Sequence, residues 1–342
     1  MPDRAHEISR FLNTAGWQGA RRDALANDAS PRCYHRLSEG AKRAVLMDAP
    51  PAQINVAPFL RIARHLAALG FSVPDIFAAD EQRGLVLLED FGDETYNQIL
   101  QTQPECEADL YAQAVDVLIT LHKLPRQQSI PADTPPFTEN MLMRGVDQFI
   151  DHFIPAALGE RLPTSASNQF RALWATAMKP VFDQPETLVL RDFHIDNLIR
   201  LNDRKGIRRC GLLDFQDAAI GAGAYDLMSL LEDARRDIYP EIVNGMRDKY
   251  CRAMAMTDAQ RGAFDATFAI LGAQRHTRII GLFIKLFVVD QKPVYLTHVP
   301  RVWKLLERSL CHPALADVNR WFDTHIPKES RGLPAQLAGK LI

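Results

Sequence analysis

Between Leu188 and Asp217 the chain carries two polar segments, each placed directly after a short apolar run. Leu188-Val189-Leu190 leads into Arg191-Asp192-Phe193-His194-Ile195-Asp196-Asn197, and Gly211-Leu212-Leu213 leads into Asp214-Phe215-Gln216-Asp217. Polar groups placed after an apolar strand sit at its end, where a cleft can use them. An Asp-x4-Asn spacing followed by Asp-Phe suits phosphoryl transfer. One carboxylate accepts the proton of an attacking hydroxyl, while an amide oxygen and a second carboxylate hold Mg²⁺, a hard cation that prefers oxygen ligands. Asp192 alone also reads as a turn or cap residue; the company of Asn197 and Asp214 favours the chemistry. His194 is a second candidate base, but the motif already has one, and the ring reads as a buttress for the loop. Asp196 and Asp217 are either solvated loop acids or ligand contacts.

These residues need a scaffold, and the first ninety residues read as a small strand-rich unit. Cys33–Leu37 and Lys42–Met47 form a hairpin around residues 38–41. A helix begins near Pro58, shows an apolar face at Phe59, Ile62, Ala63, Leu66 and Leu69, and stops at Gly70. Ile76–Ala79 and Leu85–Leu88 are further strands, the second running into Glu89-Asp90-Phe91-Gly92, a change of character that marks a hinge. Beyond it the pattern is mostly helical, through Leu110–Leu121, Phe149–Phe153, Phe170–Met178 and everything from Tyr225 on. Two short strands, at 188–190 and 211–213, interrupt the helices. The expected fold class is α+β and bilobal, with an N-lobe at 1–89 and a larger helical C-lobe at 90–342.

Composition sets bounds on function. The 342 residues are 47% hydrophobic and 24% charged, as in ordinary globular proteins. Forty Lys and Arg against 42 Asp and Glu leave a net charge of −2, so no global basic field attracts nucleic acid or an anionic membrane, and any anion is bound locally. Five scattered cysteines form no CxxC pair and no disulfide framework. The most apolar run, Ile279–Val289, contains Lys285 and is too short for a bilayer. A cytoplasmic monomer without membrane or nucleic-acid partners is expected.

Asp192-x4-Asn197 with Asp214-Phe215, beyond a β-rich lobe and the Leu87-Leu88-Glu89-Asp90 hinge, resembles the aminoglycoside phosphotransferase family from about residue 30 to about residue 310. That family has the protein-kinase-like fold and phosphorylates small molecules. Within it, Arg191–Leu198, Leu213–Ala218, Tyr225-Asp226-Leu227, Leu230–Asp237 and Met47–Pro51 are similar to bacterial anomeric kinases of peptidoglycan recycling, which act on N-acetylmuramate and N-acetylglucosamine. The resemblance implies ATP and Mg²⁺ as cofactors and a small amino sugar as the partner. It implies Asp192 as base, Asn197 and Asp214 as metal ligands, and Asp226 as a prop for the catalytic loop. Ser30 and Arg32 fall in the phosphate-covering loop, and Leu88, Glu89, Asp90 and Phe91 flank the adenine. Arg191, His194, Gln216, Asp217 and Arg235 are the candidate sugar contacts; Arg191 or an arginine of 233–237 can meet a lactyl carboxylate by bidentate pairing, unless that run is a plain solvated helix face.

Two departures from the family pattern matter. Met47 stands where related kinases carry a third-strand lysine, and the helix from Pro58 contains no acid to pair with one. Both members of the pair are absent together, which avoids an uncompensated buried charge. Arg32, Arg36, Arg61 or Arg64 is expected to supply the positive charge instead. The phosphate loop lacks G-x-G-x-x-G and carries Pro31. Elsewhere, His122 is expected to satisfy a backbone carbonyl, Arg275–Arg278 to be the polar start of an apolar helix, and Trp174 and Trp303 to pack in the core. The alternatives are a kinase for an aminoglycoside or amino alcohol, or a nucleotide-binding regulator without catalysis.

Overall fold

A computed structural model describes residues 4–25 and 31–338. Contacts divide the chain into two compact units: one gathers the chain up to Val117 with Asp192–Ala218, the other Leu118–Arg191 with the chain from Ala219 on.

The first unit is built on a five-stranded antiparallel sheet of β1 (Arg21–Ala24), β2 (Cys33–Glu39), β3 (Lys42–Asp48), β4 (Ile76–Asp80) and β5 (Leu85–Leu88), in the order β1-β2-β3-β5-β4. Leu37, Ala44, Leu46, Leu85 and Leu87 form one core face, which the N-terminal helix Arg4–Thr14 covers with Ile8 and Leu12 and against which Trp17 also packs. Neither that helix nor β1 was legible in the sequence: Arg21-Arg22-Asp23-Ala24 is an exposed edge with no apolar alternation. The helix expected from Pro58 runs over Ala57–Ala68 and buries Phe59, Leu60, Ile62, Ala63 and Leu66.

Where two strands were expected beyond the hinge, four are present, in two pairs. In the first unit β7 (Leu198–Arg200) pairs with β8 (Cys210–Leu212); in the second, β6 (Glu186–Val189) pairs with β9 (Ala219–Ala222). The missed strands are three residues and Ala-Ile-Gly-Ala, too short or too small to show a period. The Asp192–Ala218 segment is knitted to the N-terminal sheet unit. The Leu212 amide donates to Ser72 O at 2.8 Å, Ser72 Oγ donates to Arg208 O at 2.7 Å, and Asn97 Nδ2 donates to Asp196 Oδ1 at 2.6 Å.

The second unit is organised around a 31-residue helix, Asp258–Val288, opened by a Thr257–Gln260 capping box. Arg275-His276-Thr277-Arg278 lies in its middle rather than at its start; Arg275, His276 and Thr277 are buried, so the apolar stretch after them is the second half of one helix. Trp174 and Trp303 are core residues; Phe149, Phe153 and Phe322 pack around Trp303, and Phe170 meets Trp174 edge-on. His122 does not reach a carbonyl: its Nδ1 meets Tyr250 Oη at 2.7 Å, and full burial lowers its pKa to about 3. The run at 233–237 is not a helix either. The helix Ala224–Leu231 ends before it and Asp233 is buried, so the four charges of Asp233-Ala234-Arg235-Arg236-Asp237 belong to an irregular segment.

The long helix crosses a π-turn, Phe149–Phe153, that continues the helix Glu139–Gln148. The crossing needs Gly281, because a methyl group there would overlap the backbone of Gln148 and Phe149. In an open helix Gly→Ala gains up to about 1 kcal/mol. Here the sign should reverse: Gly281→Ala is expected to lose about 1–3 kcal/mol, read as a lower denaturation midpoint in urea, and a stabilised variant would refute the close crossing.

Candidate active site

The site begins one residue before its acid. Asp226, fully buried in the helix Ala224–Leu231, accepts the Leu190 amide hydrogen at 2.6 Å with one oxygen and the Arg191 amide hydrogen at 2.8 Å with the other. Arg191 has φ +70°, a conformation costly for a long side chain, and the clamp helps to hold it there. The Ser229 hydroxyl donates to Arg191 O at 3.4 Å, and the guanidinium carbon lies 5.5 Å from the Phe137 ring centroid. Asp192 is the next residue in the chain.

From Asp192 a tight loop and a single 3₁₀ turn, Ile195–Asn197, return the chain to β7. Asn197 Nδ2 donates to Asp192 O at 2.9 Å and stands 3.3 Å from His194 Nε2, so the amide nitrogen braces the loop and the amide oxygen takes no part in either contact. His194 is buried against this turn, its Nδ1 3.8 Å from Asp196 Oδ2; it has the surroundings of a buttress.

Asp214 lies just past β8 and also takes a left-handed conformation, φ +57°. Gln216 Nε2 donates to Asp214 Oδ1 at 2.7 Å, and Arg32 Nη1 lies 3.7 Å from the same oxygen. Desolvation in this recess, reinforced by the charge of Asp192, raises the Asp214 carboxyl above its usual value, although Gln216, Arg32 and His194 pull it down. About 45% of the Asp214 side-chain surface nevertheless stays open to solvent, so a ligand can still reach it. Phe215 turns inward and stacks on Phe59 of the helix Ala57–Ala68, with centroids 5.3 Å apart and planes 14° from parallel. An aromatic stack thus joins that helix to the Asp214 segment.

Asp192, Asn197, Asp214, Gln216, His194 and Arg32 therefore belong to one compact unit. The two acids and the Asn197 amide oxygen are hard donors of the kind a divalent cation takes. Among the described residues no group of three His, Cys, Asp or Glu could hold a metal alone. Two carboxylates and one amide oxygen are a donor set that fits Mg²⁺, which keeps water and phosphate ligands beside one or two carboxylates.

Other expected contacts fall differently. Ser30 lies outside the described residues. Arg36 is not available to a phosphate: its guanidinium spans Asp90 at 2.7 and 3.0 Å and Asp93 at 2.7 and 2.9 Å. Arg64 stands 3.8 Å from Glu81 on the surface, whereas Arg61 has a buried Nε without a hydrogen-bond acceptor. Met47 is fully buried within β3, as a residue that replaces a charged one in the sheet must be. Leu88 is buried, the Glu89 amide donates to Asp75 O at 2.8 Å and its carboxylate pairs with Arg204, and Phe91 lies under Arg204 at 5.0 Å. Asp217 is exposed beside Gln216. Arg235 sits on the irregular segment, its carbonyl accepting from Arg301 at 3.0 Å.

Residues 23–263 match the model of the phosphotransferase enzyme family, which spans well over half of the chain. The chain belongs to that family. A relative from Caulobacter vibrioides named N-acetylmuramate/N-acetylglucosamine kinase is 33% identical over 94% of this family member and 96% of its own length. One of the same name from Pseudomonas putida is 33% identical over 86% and 85%. An ADP-bound aminoglycoside phosphotransferase structure superposes with a TM-score of 0.58 at 15% identity, covering 89% of this chain and 97% of its own, a likeness of fold. The family member is thus a phosphotransferase with a kinase-like fold.

The raised Asp214 carboxyl has a consequence for stability. A group that binds its proton more tightly when folded costs stability as pH rises past its unfolded value, and that cost is fully present at neutral pH. Asn tolerates the left-handed backbone of this position. Asp214→Asn should therefore melt at a higher temperature than the wild type at pH 7 in the absence of ligands, with the difference shrinking as pH falls towards about 4. Equal or lower melting at pH 7 counts against a desolvated carboxylate.

Proposed function

We propose that this chain transfers the γ-phosphoryl group of ATP to the anomeric hydroxyl of N-acetylmuramate and N-acetylglucosamine. The observation that carries the reading is the set Asp192, Asn197 and Asp214 in one unit, braced by Gln216, His194 and Arg32. The names of relatives at one-third identity over nearly the whole chain support the choice of sugar.

Asp192 accepts the C1 hydroxyl proton as the oxygen attacks phosphorus; the new O–P bond forms as the bond to the departing ADP oxygen breaks. An anomeric hydroxyl is more acidic than an ordinary alcohol, so a carboxylate suffices. Asn197 Oδ1 and Asp214 would hold Mg²⁺, which supplies charge neutralisation to the phosphates when bound. Arg32 takes the part of the absent third-strand lysine, since Arg36 is consumed by two acids and Arg64 is held at the surface. Gln216 holds Asp214 in its strained conformation.

A labelled-phosphate transfer assay across N-acetylmuramate, N-acetylglucosamine, choline and kanamycin tests the reading. The expected product forms from the two sugars and is acid-labile, as a glycosyl 1-phosphate is; an acid-stable product moves the acceptor to another hydroxyl. Asp192→Asn should lower turnover by about 10²–10⁴-fold with nucleotide binding retained. A wild type that binds nucleotide and turns over no acceptor indicates a regulator instead. Arg32→Met should raise the KM for ATP by about tenfold, against less than about twofold for Arg64→Met; equal effects sink the role given to Arg32.

A further inference from the structure

The second unit holds a cavity of about 290 Å³ whose lining includes four cations, Arg144, Arg191, Arg278 and Lys285, and no acid. In a chain of net charge −2, four positive groups around one small space without a carboxylate are an uneven distribution. Like charges gathered this way repel one another, which costs stability unless an anion enters. Among the described residues no ion pair engages Arg144, Arg278 or Lys285, although elsewhere in this unit Arg171, Arg247, Arg261, Arg301 and Arg308 each pair with an Asp or Glu.

The cavity is shaped as well as charged. Arg278 and Lys285 project from one helix seven residues apart, two turns along the same face, and Arg144 comes from the helix Glu139–Gln148 that packs across it. Gly145 makes room, since a methyl group there would lie 2.8 Å from Gln274 Nε2 and 3.0 Å from Arg278 Cδ. Gln274 is fixed by donating to Leu142 O at 2.7 Å. Gln148, also in the lining, has a buried side-chain oxygen with no hydrogen-bond partner, an acceptor left for a ligand hydroxyl or amide. Arg191, which lines the cavity, is followed in the chain by Asp192, and the Asp226 clamp fixes the Arg191 backbone.

We infer that this cavity is a carboxylate subsite for the acceptor, in which Arg144, Arg278 and Lys285 recognise the lactyl carboxylate that N-acetylmuramate carries and N-acetylglucosamine lacks. The inference rests on the amino-sugar kinase reading. Guanidinium groups match a planar carboxylate with paired hydrogen bonds, and the lysine adds a point charge. These residues determine specificity between the two acceptors; they take no part in the transfer itself. Sequence reasoning placed the carboxylate partner at Arg191 or at an arginine of 233–237; Arg191 lines the cavity, and neither Arg235 nor Arg236 does.

The experiment is steady-state kinetics of Arg144→Met, Arg278→Met and Lys285→Met on both sugars, read as the ratio of kcat/KM for N-acetylmuramate to kcat/KM for N-acetylglucosamine. Each variant should lower that ratio by on the order of 10- to 100-fold, with partial recovery in Arg278→Lys. Arg144 is exposed, so its replacement keeps the fold and keeps the test decisive should an inner variant misfold. Wild-type turnover is measured first: if neither sugar is phosphorylated, the kinase reading fails and the subsite with it. With wild-type turnover present, an unchanged ratio in all three variants overturns the subsite alone. So does a rise confined to the KM for ATP, which would assign the cations to nucleotide phosphate.

Discussion

The Asp226 carboxylate sits with no solvent exposure and gives one oxygen to each of two successive amides, Leu190 and Arg191. Charge-assisted bonds of this kind are about twice as strong as neutral ones, and removing the acceptor would leave two buried donors unsatisfied. The strand end therefore has one available conformation, with Arg191 turned left-handed and Asp192 presented directly after it. The rest of the loop depends on that fixed start: the Asn197 brace on Asp192 O, the His194 buttress and the return into β7.

A second constraint acts at Asp214. This chain has Met47 in β3 and a helix without acids, and joins that helix to the site through Phe59 on Phe215. A buried ion pair must recover a desolvation cost of several kcal/mol per ion, while an aromatic stack gains from burial directly. Arg32 stands at Asp214, and Arg36 straps β2 to Asp90 and Asp93.

Much of this was legible in the sequence because chemistry and periodicity coincided there. Asp192, Asn197 and Asp214 announced themselves by spacing, and the hairpin, the helix at 57–68 and β5 by strong apolar patterns. Illegible elements had weak local signals. β1 is a charged edge and β9 is built of small residues. Charged residues misled in a consistent way: a run of arginines in sequence does not show which acids will meet it after folding. Arg36 found two acids more than fifty residues away, whereas Arg278, read as the polar start of a helix, faces a cavity. The Phe59–Phe215 contact joins residues 156 apart and has no sequence signal at all.

The aromatic stack has a bearing on control. An ion pair between a strand and a helix can be broken by a competing charge, and kinases with that pair are switched by moving the helix and by placing a phosphate nearby. Phe59 and Phe215 offer no charge to compete for. Displacing the helix Ala57–Ala68 would mean exposing two aromatic rings to water, with nothing released in exchange. The stack therefore ties the helix Ala57–Ala68 to the Asp214 segment through burial rather than through charge.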